Sequence, residues 1–197
     1  MSEDVRITIE EADMSWHKRP EDQRREQIIA AALRVAARDG LARLTLRKVA
    51  AEAGLSHGSL LFHYGSKDLL LEALLDAVLD WLIRPAAPTA RRLTDVLREE
   101  VSHADPDHTA VLLDFWVVGT RTPALRKRMR TAMESYETRL ATLAPDTAAV
   151  SPRQLAALAN TVVFGAALRR LLGADNHTDA VGALEKLLAA EPTARSD

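Results

Sequence analysis

The sequence predicts an all-α protein: a small N-terminal bundle of three helices, then a larger helical domain, with about nine helices in all. Three observations lead there. Hydrophobic residues make up 47% of the 197-residue chain, and Ala, Leu and Arg, which head the helix-propensity ranking, dominate it. Glycine and proline number only 8 each, and Pro106, Pro123, Pro145 and Pro152 fall between apolar repeats. The apolar residues recur mostly at helical spacing. The one strand-like alternation, Val5–Ile9, has no partner strand downstream.

In chain order, residues 1–21 read as an acidic arm, expected to be flexible and closed by Pro20. From Glu21 the pattern is helical, with Ile29, Leu33 and Ala36 on one face and Gly40 where a C-terminal cap belongs. A short second helix is predicted over about 45–53, capped by Thr45, with Leu46, Val49 and Ala50 facing inward. Gly54-Leu55-Ser56 is a turn, and Ser56 can cap a third short helix. Ser66 caps a long fourth helix with Asp68 in its first turn, and Leu70, Leu74, Val78 and Trp81 lie along its apolar side. Pro85 to Pro88 breaks the chain, and helices follow at about 89–103, 107–121, 123–144, 151–173 and 178–190. The predicted division is an arm at 1–21, the three-helix bundle at 22–66, the helical domain at 67–190 and a polar tail at 191–197.

The chain has no cysteine, so no disulfide framework, as suits a reducing compartment. No apolar run reaches the ~20 residues that span a bilayer. The acidic N-terminus is unlike a signal peptide. These features predict a cytoplasmic protein without a membrane partner. Net charge is -2, but it is unevenly spread. Residues 1–16 hold one Arg against five acids, whereas residues 17–67 hold ten Lys and Arg against five acids. A basic segment between acidic ones marks where a polyanion can dock, although an ordinary solvated face has the same charge pattern.

The informative stretch runs from Thr45 to Lys67 and has the logic of a helix-turn-helix. Ala50 lets two helices cross closely, and Gly54 permits the left-handed backbone of a tight turn. Leu46, Val49, Leu55 and Leu60 form a small core that fixes the interhelical angle. The second helix is then free to present Ser56, His57 and Ser59 to the major groove. Phe62, a large aromatic, is expected in the core, whereas for Tyr64 a core role and a functional one stand level.

The pattern Thr45-x3-Val49-Ala50-x2-Ala53-Gly54-Leu55-Ser56-x-Gly58-x-Leu60, followed by His63-Tyr64-x-Ser66-Lys67-x2-Leu70, resembles the DNA-binding signature of TetR-family regulators. The resemblance implies a dimer on palindromic double-stranded operator DNA, most often a repressor released by a small-molecule effector. It gives Thr45 a phosphate contact at a helix start and Lys67 a phosphate clamp. His63 and Tyr64 become an aromatic pair that contacts the DNA backbone or supports the recognition helix. Arg47, Lys48, Ser56, His57 and Ser59 are candidates for groove contacts, and Lys18, Arg19 and Arg24 can reach phosphates. This chain departs from the pattern at Leu61, where many relatives carry Tyr. Leu61 cannot hydrogen-bond phosphate, and the aromatic falls at Phe62 instead.

In the C-terminal part, Leu113-Asp114-Phe115-Trp116, Pro123-x-Leu125-Arg126 and Tyr136 resemble the BetI-type subgroup, whose corresponding domain binds the effector and dimerises. Trp81, His103, Phe115, Trp116, Met129, Met133, Tyr136, Asn160 and Phe164 are the candidate ligand-binding residues. Asp114 and His108 are further polar groups able to orient a ligand. A cation facing Trp81, Trp116 and Tyr136 would gain cation–π attraction, although such stripes more often form core. Helices at about 151–173 and 178–190, rich in Ala, Gly and Leu, suit a dimer interface that makes a four-helix bundle from two chains.

Other classes find less support. His103 to His108 and Asp175 to Asp179 hold metal-type ligands, but at helix junctions where Asp and Asn belong as caps, so no metal is expected. The chain lacks a glycine-rich phosphate loop, a nucleophile elbow and a paired-carboxylate motif, so neither an enzyme nor a bound cofactor is expected. The remaining alternative is a DNA-bound scaffold of the same fold whose C-terminal domain holds a protein partner.

Overall fold

The computed structural model describes residues 20–84, 92–103, 105–147, 149–176 and 178–190. Among them are nine α-helices and one short 3-10 turn: α1 (Pro20–Asp39), the 3-10 turn Leu41–Arg43, α2 (Leu46–Glu52), α3 (His57–Tyr64), α4 (Lys67–Ile83), α5 (Leu93–His103), α6 (Pro106–Gly119), α7 (Pro123–Ala141), α8 (Pro152–Leu171) and α9 (Asp179–Ala190). The all-α class and the helix order agree with the sequence.

The helix ends are set by local chemistry. Thr45, Ser56 and Ser66 each accept a hydrogen bond from the backbone N–H three residues on, capping α2, α3 and α4. Ser151 and Gln154 form a reciprocal capping box at α8, ahead of Pro152 in its first turn. Asp105 accepts from the backbone N–H groups of Asp107 and His108. This cap starts α6 one residue earlier than the pattern indicated.

Three boundaries need correction. Pro20 begins α1 instead of closing an arm, with Glu21 and Asp22 favourably placed in the first turn. The expected helix over 123–144 stops at Ala141, and the freed Leu143 carbonyl accepts from the Leu93 N–H at 3.1 Å, joining it to the start of α5. The helix over 89–103 accordingly starts only at Leu93. The strand-like Val5–Ile9 lies outside the described residues, as do Lys18 and Arg19.

Two apolar cores result. The first joins Ile28 and Val35 of α1, Val49 of α2 and Leu60 of α3 to Leu70, Leu74 and Val78 of α4, and continues into Val111 and Phe115 of α6 and Met129 of α7. The second joins Leu93 and Leu97 of α5 to Tyr136 and Leu140 of α7, Leu155 and Ala159 of α8, and Val181 and Leu184 of α9. Leu82, at the end of α4, packs against both. The helix-turn-helix thus shares its core with α4, α6 and α7.

One polar contact reinforces that union. Gly40 turns the chain after α1 with φ +83°, a backbone region that favours glycine. The next N–H, on Leu41, donates to Asp114 Oδ2 of α6 at 2.9 Å. Asp114, read from sequence as a ligand-orienting group, instead holds the 3-10 turn that leads to α2. Asp114→Ala leaves that N–H without its charged acceptor, and a loss of about 1–2 kcal/mol in denaturant unfolding is expected. An unchanged midpoint would mean that water replaces the carboxylate at no cost.

Candidate nucleic-acid interface

α2 and α3 are joined by the turn Ala53 to Ser56. Gly54 takes φ +67° there, and the Leu55 N–H donates back to the Ala50 carbonyl at 2.8 Å. Leu60 and Val49, both fully buried, pin the two helices against α1. Two side-chain contacts from α1 that sequence reasoning missed complete the frame. Gln27 Nε2 donates to the Ala53 carbonyl at 2.8 Å, and the Arg25 carbonyl accepts from the Tyr64 hydroxyl at 3.4 Å. Neither carries a signal in the sequence, because a polar residue on an amphipathic helix looks the same whether or not its end is engaged.

Burial of Leu60 and Tyr64 fixes the rotation of α3 about its axis. The opposite face, turned to solvent, carries His57, Gly58, Leu61 and Phe62. Ser59 and His63 sit at the flanks, half-buried. Tyr64 is core, where the sequence left two roles open; burial and its bond to α1 give it a supporting role, and burial pushes its hydroxyl pKa upward. Phe62 reverses the expectation. It is 84% exposed, touching edge-on the His63 ring at 5.4 Å. In an eight-residue helix, neighbouring apolar residues cannot all face inward, and Leu60 and Tyr64, four apart, take the core side.

The basic residues divide into two sets. Lys48 Nζ bonds Asp39 Oδ2 at 2.7 Å, Arg38 bonds Asp39 and Glu52, and Arg34 bonds Glu52 at 2.8 Å. Hydrogen bonds from Lys48 and then Arg38 hold the Asp39 carboxyl below its ordinary range; Arg34 and then Arg38 do the same for Glu52. This exposed network ties α1 to α2 and occupies Lys48, one of the predicted groove contacts. Arg47 and Lys67, by contrast, have no ion-pair partner among the described residues. Thr45 and Ser56 are exposed at the starts of α2 and α3, with their hydroxyl oxygens engaged in capping.

The nine candidate ligand-binding residues do not form one group. Phe115 and Met129 are buried in the first core, and Tyr136 in the second. Met133 is half-buried, and Asn160 Nδ2 donates to Glu137 at 2.8 Å. His103 ends α5, and its side chain lies outside the described residues. Trp81 stacks on His108 with ring centres 4.9 Å apart, and Trp116 lies against Phe164 at the same distance. The buried Trp116 Nε1 has no hydrogen-bond partner among the described residues. The Arg139 guanidinium covers the Tyr136 ring at 5.0 Å, so a cationic ligand would have to displace it there. An open cleft of about 210 Å³ between α5 and α9 is lined by Arg98, Thr178, Val181 and Glu185, and by none of the nine. It is smaller than the ~300 Å³ at which small-molecule sites begin.

Among the described residues, no group of three or more His, Asp or Glu side chains is placed to hold a metal ion. No helix among them is long and apolar enough to cross a membrane.

Residues 28–74 match the family model for bacterial regulatory proteins of the tetR family, which covers α1 after its first two turns, the helix-turn-helix and the first half of α4. The chain has no significant match among curated proteins. Similar solved structures include a transcriptional regulator from Rhodococcus sp. Rha1 (TM-score 0.70, 22% identity, covering 87% of this chain and 99% of that one). A TetR-family member from Streptomyces coelicolor A3 is 28% identical (TM-score 0.62, covering 83% of this chain and 97% of that one). The multidrug binding protein EbrR, solved with proflavin, is 26% identical (TM-score 0.55, covering 83% and 99%). The N-terminal helices therefore form a tetR-type domain, and over more than four fifths of its length the chain shares the fold of TetR-family transcriptional regulators.

Proposed function

We propose that the protein is a TetR-family transcriptional regulator that binds palindromic double-stranded DNA as a homodimer, acts in the cytoplasm, and is released by a small-molecule effector. The observation that carries the reading is the capped helix-turn-helix whose outer face is turned to solvent, within a segment matching the tetR family model. Regulation of transcription, not catalysis, is the role this fold supports.

In this reading Arg47, His57 and Ser59 face the groove, and the α2 and α4 starts at Thr45 and Lys67 take phosphates. Ser56 and His63 flank the contact, Tyr64 supports α3, and Lys48 reaches DNA only by leaving Asp39. The effector enters between α4, α6 and α8, where Trp81, His108, Trp116 and Phe164 form two aromatic pairs and Trp116 Nε1 can donate a hydrogen bond. EbrR, a multidrug binding protein of similar fold solved with proflavin, supports a small-molecule effector. The BetI-type assignment rests on the residue pattern alone. Dimerisation uses α8 and α9: Leu158 and Leu168 are exposed on one side of α8, Leu172 is exposed just past its end, and Leu187 is 66% exposed on α9.

Genome-fragment capture followed by footprinting at two salt concentrations tests the reading. A protected palindrome with strongly salt-dependent affinity is expected; weak, sequence-indifferent binding would overturn it. Lys67→Ala is expected to weaken binding to every sequence and to lower the salt slope by about one unit, while His57→Ala shifts operator preference. An unchanged slope would remove Lys67 from the phosphate contacts.

A further inference from the structure

We propose that Phe62, assisted by Leu61, reads thymine methyl groups in the major groove; this rests on the DNA-binding role given to α3 above. Leu60 and Tyr64 occupy the inner side of α3, so Phe62 cannot swing into the core without unseating them. Its ring is 84% exposed, and the adjacent Leu61 is 36% exposed on the same outer face. Among the described residues, the ring contact of Phe62 is with the edge of His63.

Gly58 is the second observation. It lies in the first turn of α3 between His57 and the Leu61–Phe62 pair, where glycine weakens a helix by about 1 kcal/mol relative to alanine. Nothing inside the protein requires it: a Cβ at Gly58 would meet only Ser56 Oγ, at 3.9 Å, an ordinary contact. Its φ is not in the left-handed region either. The missing side chain instead leaves a notch on the outer face, beside the two apolar residues, that lets another molecule approach the backbone closely.

The chemistry narrows what fills that face. Phe62 and Leu61 carry no donor or acceptor, so they can contact neither phosphate nor the hydrogen-bonding edges of bases. The apolar group that unmodified B-DNA displays in its major groove is the 5-methyl of thymine. Arg47 and Lys67 on the neighbouring helices supply the positive rim that draws the phosphates in, leaving the centre of α3 to the base edges. Each half-site is therefore expected to hold one or two thymines opposite Phe62.

The test uses the full chain and an operator fragment obtained by capture. Each thymine is replaced in turn by deoxyuridine, which removes the methyl and keeps the pairing. One or two positions per half-site are expected to lose about fourfold in affinity, the worth of one buried methyl group. In Phe62→Ala those positions become insensitive, while Phe62→Leu keeps part of the effect. Circular dichroism confirms that both variants fold. Tight binding by the unaltered protein with no sensitive thymine would overturn the proposal and leave DNA binding standing. Sensitivity that persists unchanged in Phe62→Ala would also overturn it. Absence of any sequence-specific binding would remove the DNA-binding reading and the proposal together.

Discussion

Replacing Leu158 and Leu168 together by glutamate is expected to give a folded monomer whose operator affinity is about 10²- to 10⁴-fold weaker. Both residues are on α8 and 46% and 42% exposed, so neither supports the core of its own chain. With Gly165 they lie on one side of the helix, continued by Leu172 just past its end, while the other side buries Leu155, Ala156, Ala159 and Ala166. A Cβ at Gly165 would meet nothing within 4 Å, so the middle of the stripe is open to a second helix. On α9 the exposed Ala180, Ala183 and Leu187 form a comparable stripe. Exposed substitutions of this kind change the stability of a monomer little, typically by less than about 0.5 kcal/mol. The large effect comes from linkage. A dimer binds its second half-site at the effective concentration set by the first, and a monomer forfeits that gain. Light scattering gives the oligomeric state, and titration of a palindromic fragment against a single half-site gives the affinity. A dimer that survives both glutamates would move the interface away from α8.

The parts of this molecule legible in its sequence are those encoded within a few residues. The caps at Thr45, Ser56, Ser66, Asp105 and Ser151 act over two or three positions, and the Gly54 turn is set by one residue's φ, so local pattern suffices. Proline marked the starts of α6, α7 and α8 for the same reason. What escaped is fixed by distance in space. Asp114 meets Leu41 across 73 positions, and Gln27 meets Ala53 across 26, with nothing local to announce either contact. The Phe62 error has another origin. Periodicity assigns a face only over several turns, and α3 offers two, so burial had to be inferred from hydrophobicity, which an apolar side chain facing solvent defeats. The continuity of the first core from α1 to α7 was likewise hidden, since each helix shows which side is apolar but not which neighbour covers it.

Arg139→Met is expected to destabilise the fold by about 2–3 kcal/mol at pH 7.5 and by clearly less at pH 5. Arg139 lies at the junction of three helices: it bonds the Arg84 carbonyl at the end of α4, pairs with Glu100 of α5 at 3.3 Å, and stacks on Tyr136 of its own helix. Burial pushes the Glu100 carboxyl above its ordinary range, the nearby Glu99 pushes the same way, and the Tyr136 hydroxyl bond and Arg139 charge pull it back. A carboxyl raised on folding contributes stability that is fully present below its unfolded pKa, 4.5, and is lost as pH rises through the folded value. Removing Arg139 raises the folded value further, so the loss deepens toward neutral pH, while at pH 5 a proton can take the cation's place. Breaking a buried pair from one side costs about 3–5 kcal/mol; the lower figure here reflects side chains still 23% and 26% exposed. Adding Glu100→Gln to the variant should restore most of the loss, because the uncompensated charge is gone. Equal losses at the two pH values, with no recovery in the double variant, would reduce Arg139 to packing alone. If the charge pair does hold this junction, it fixes the far end of the helix that starts at Lys67. The single Arg139→Met variant should then lose operator affinity that the double variant partly regains, tying a half-buried ion pair beside the second core to the position of the DNA-binding helices.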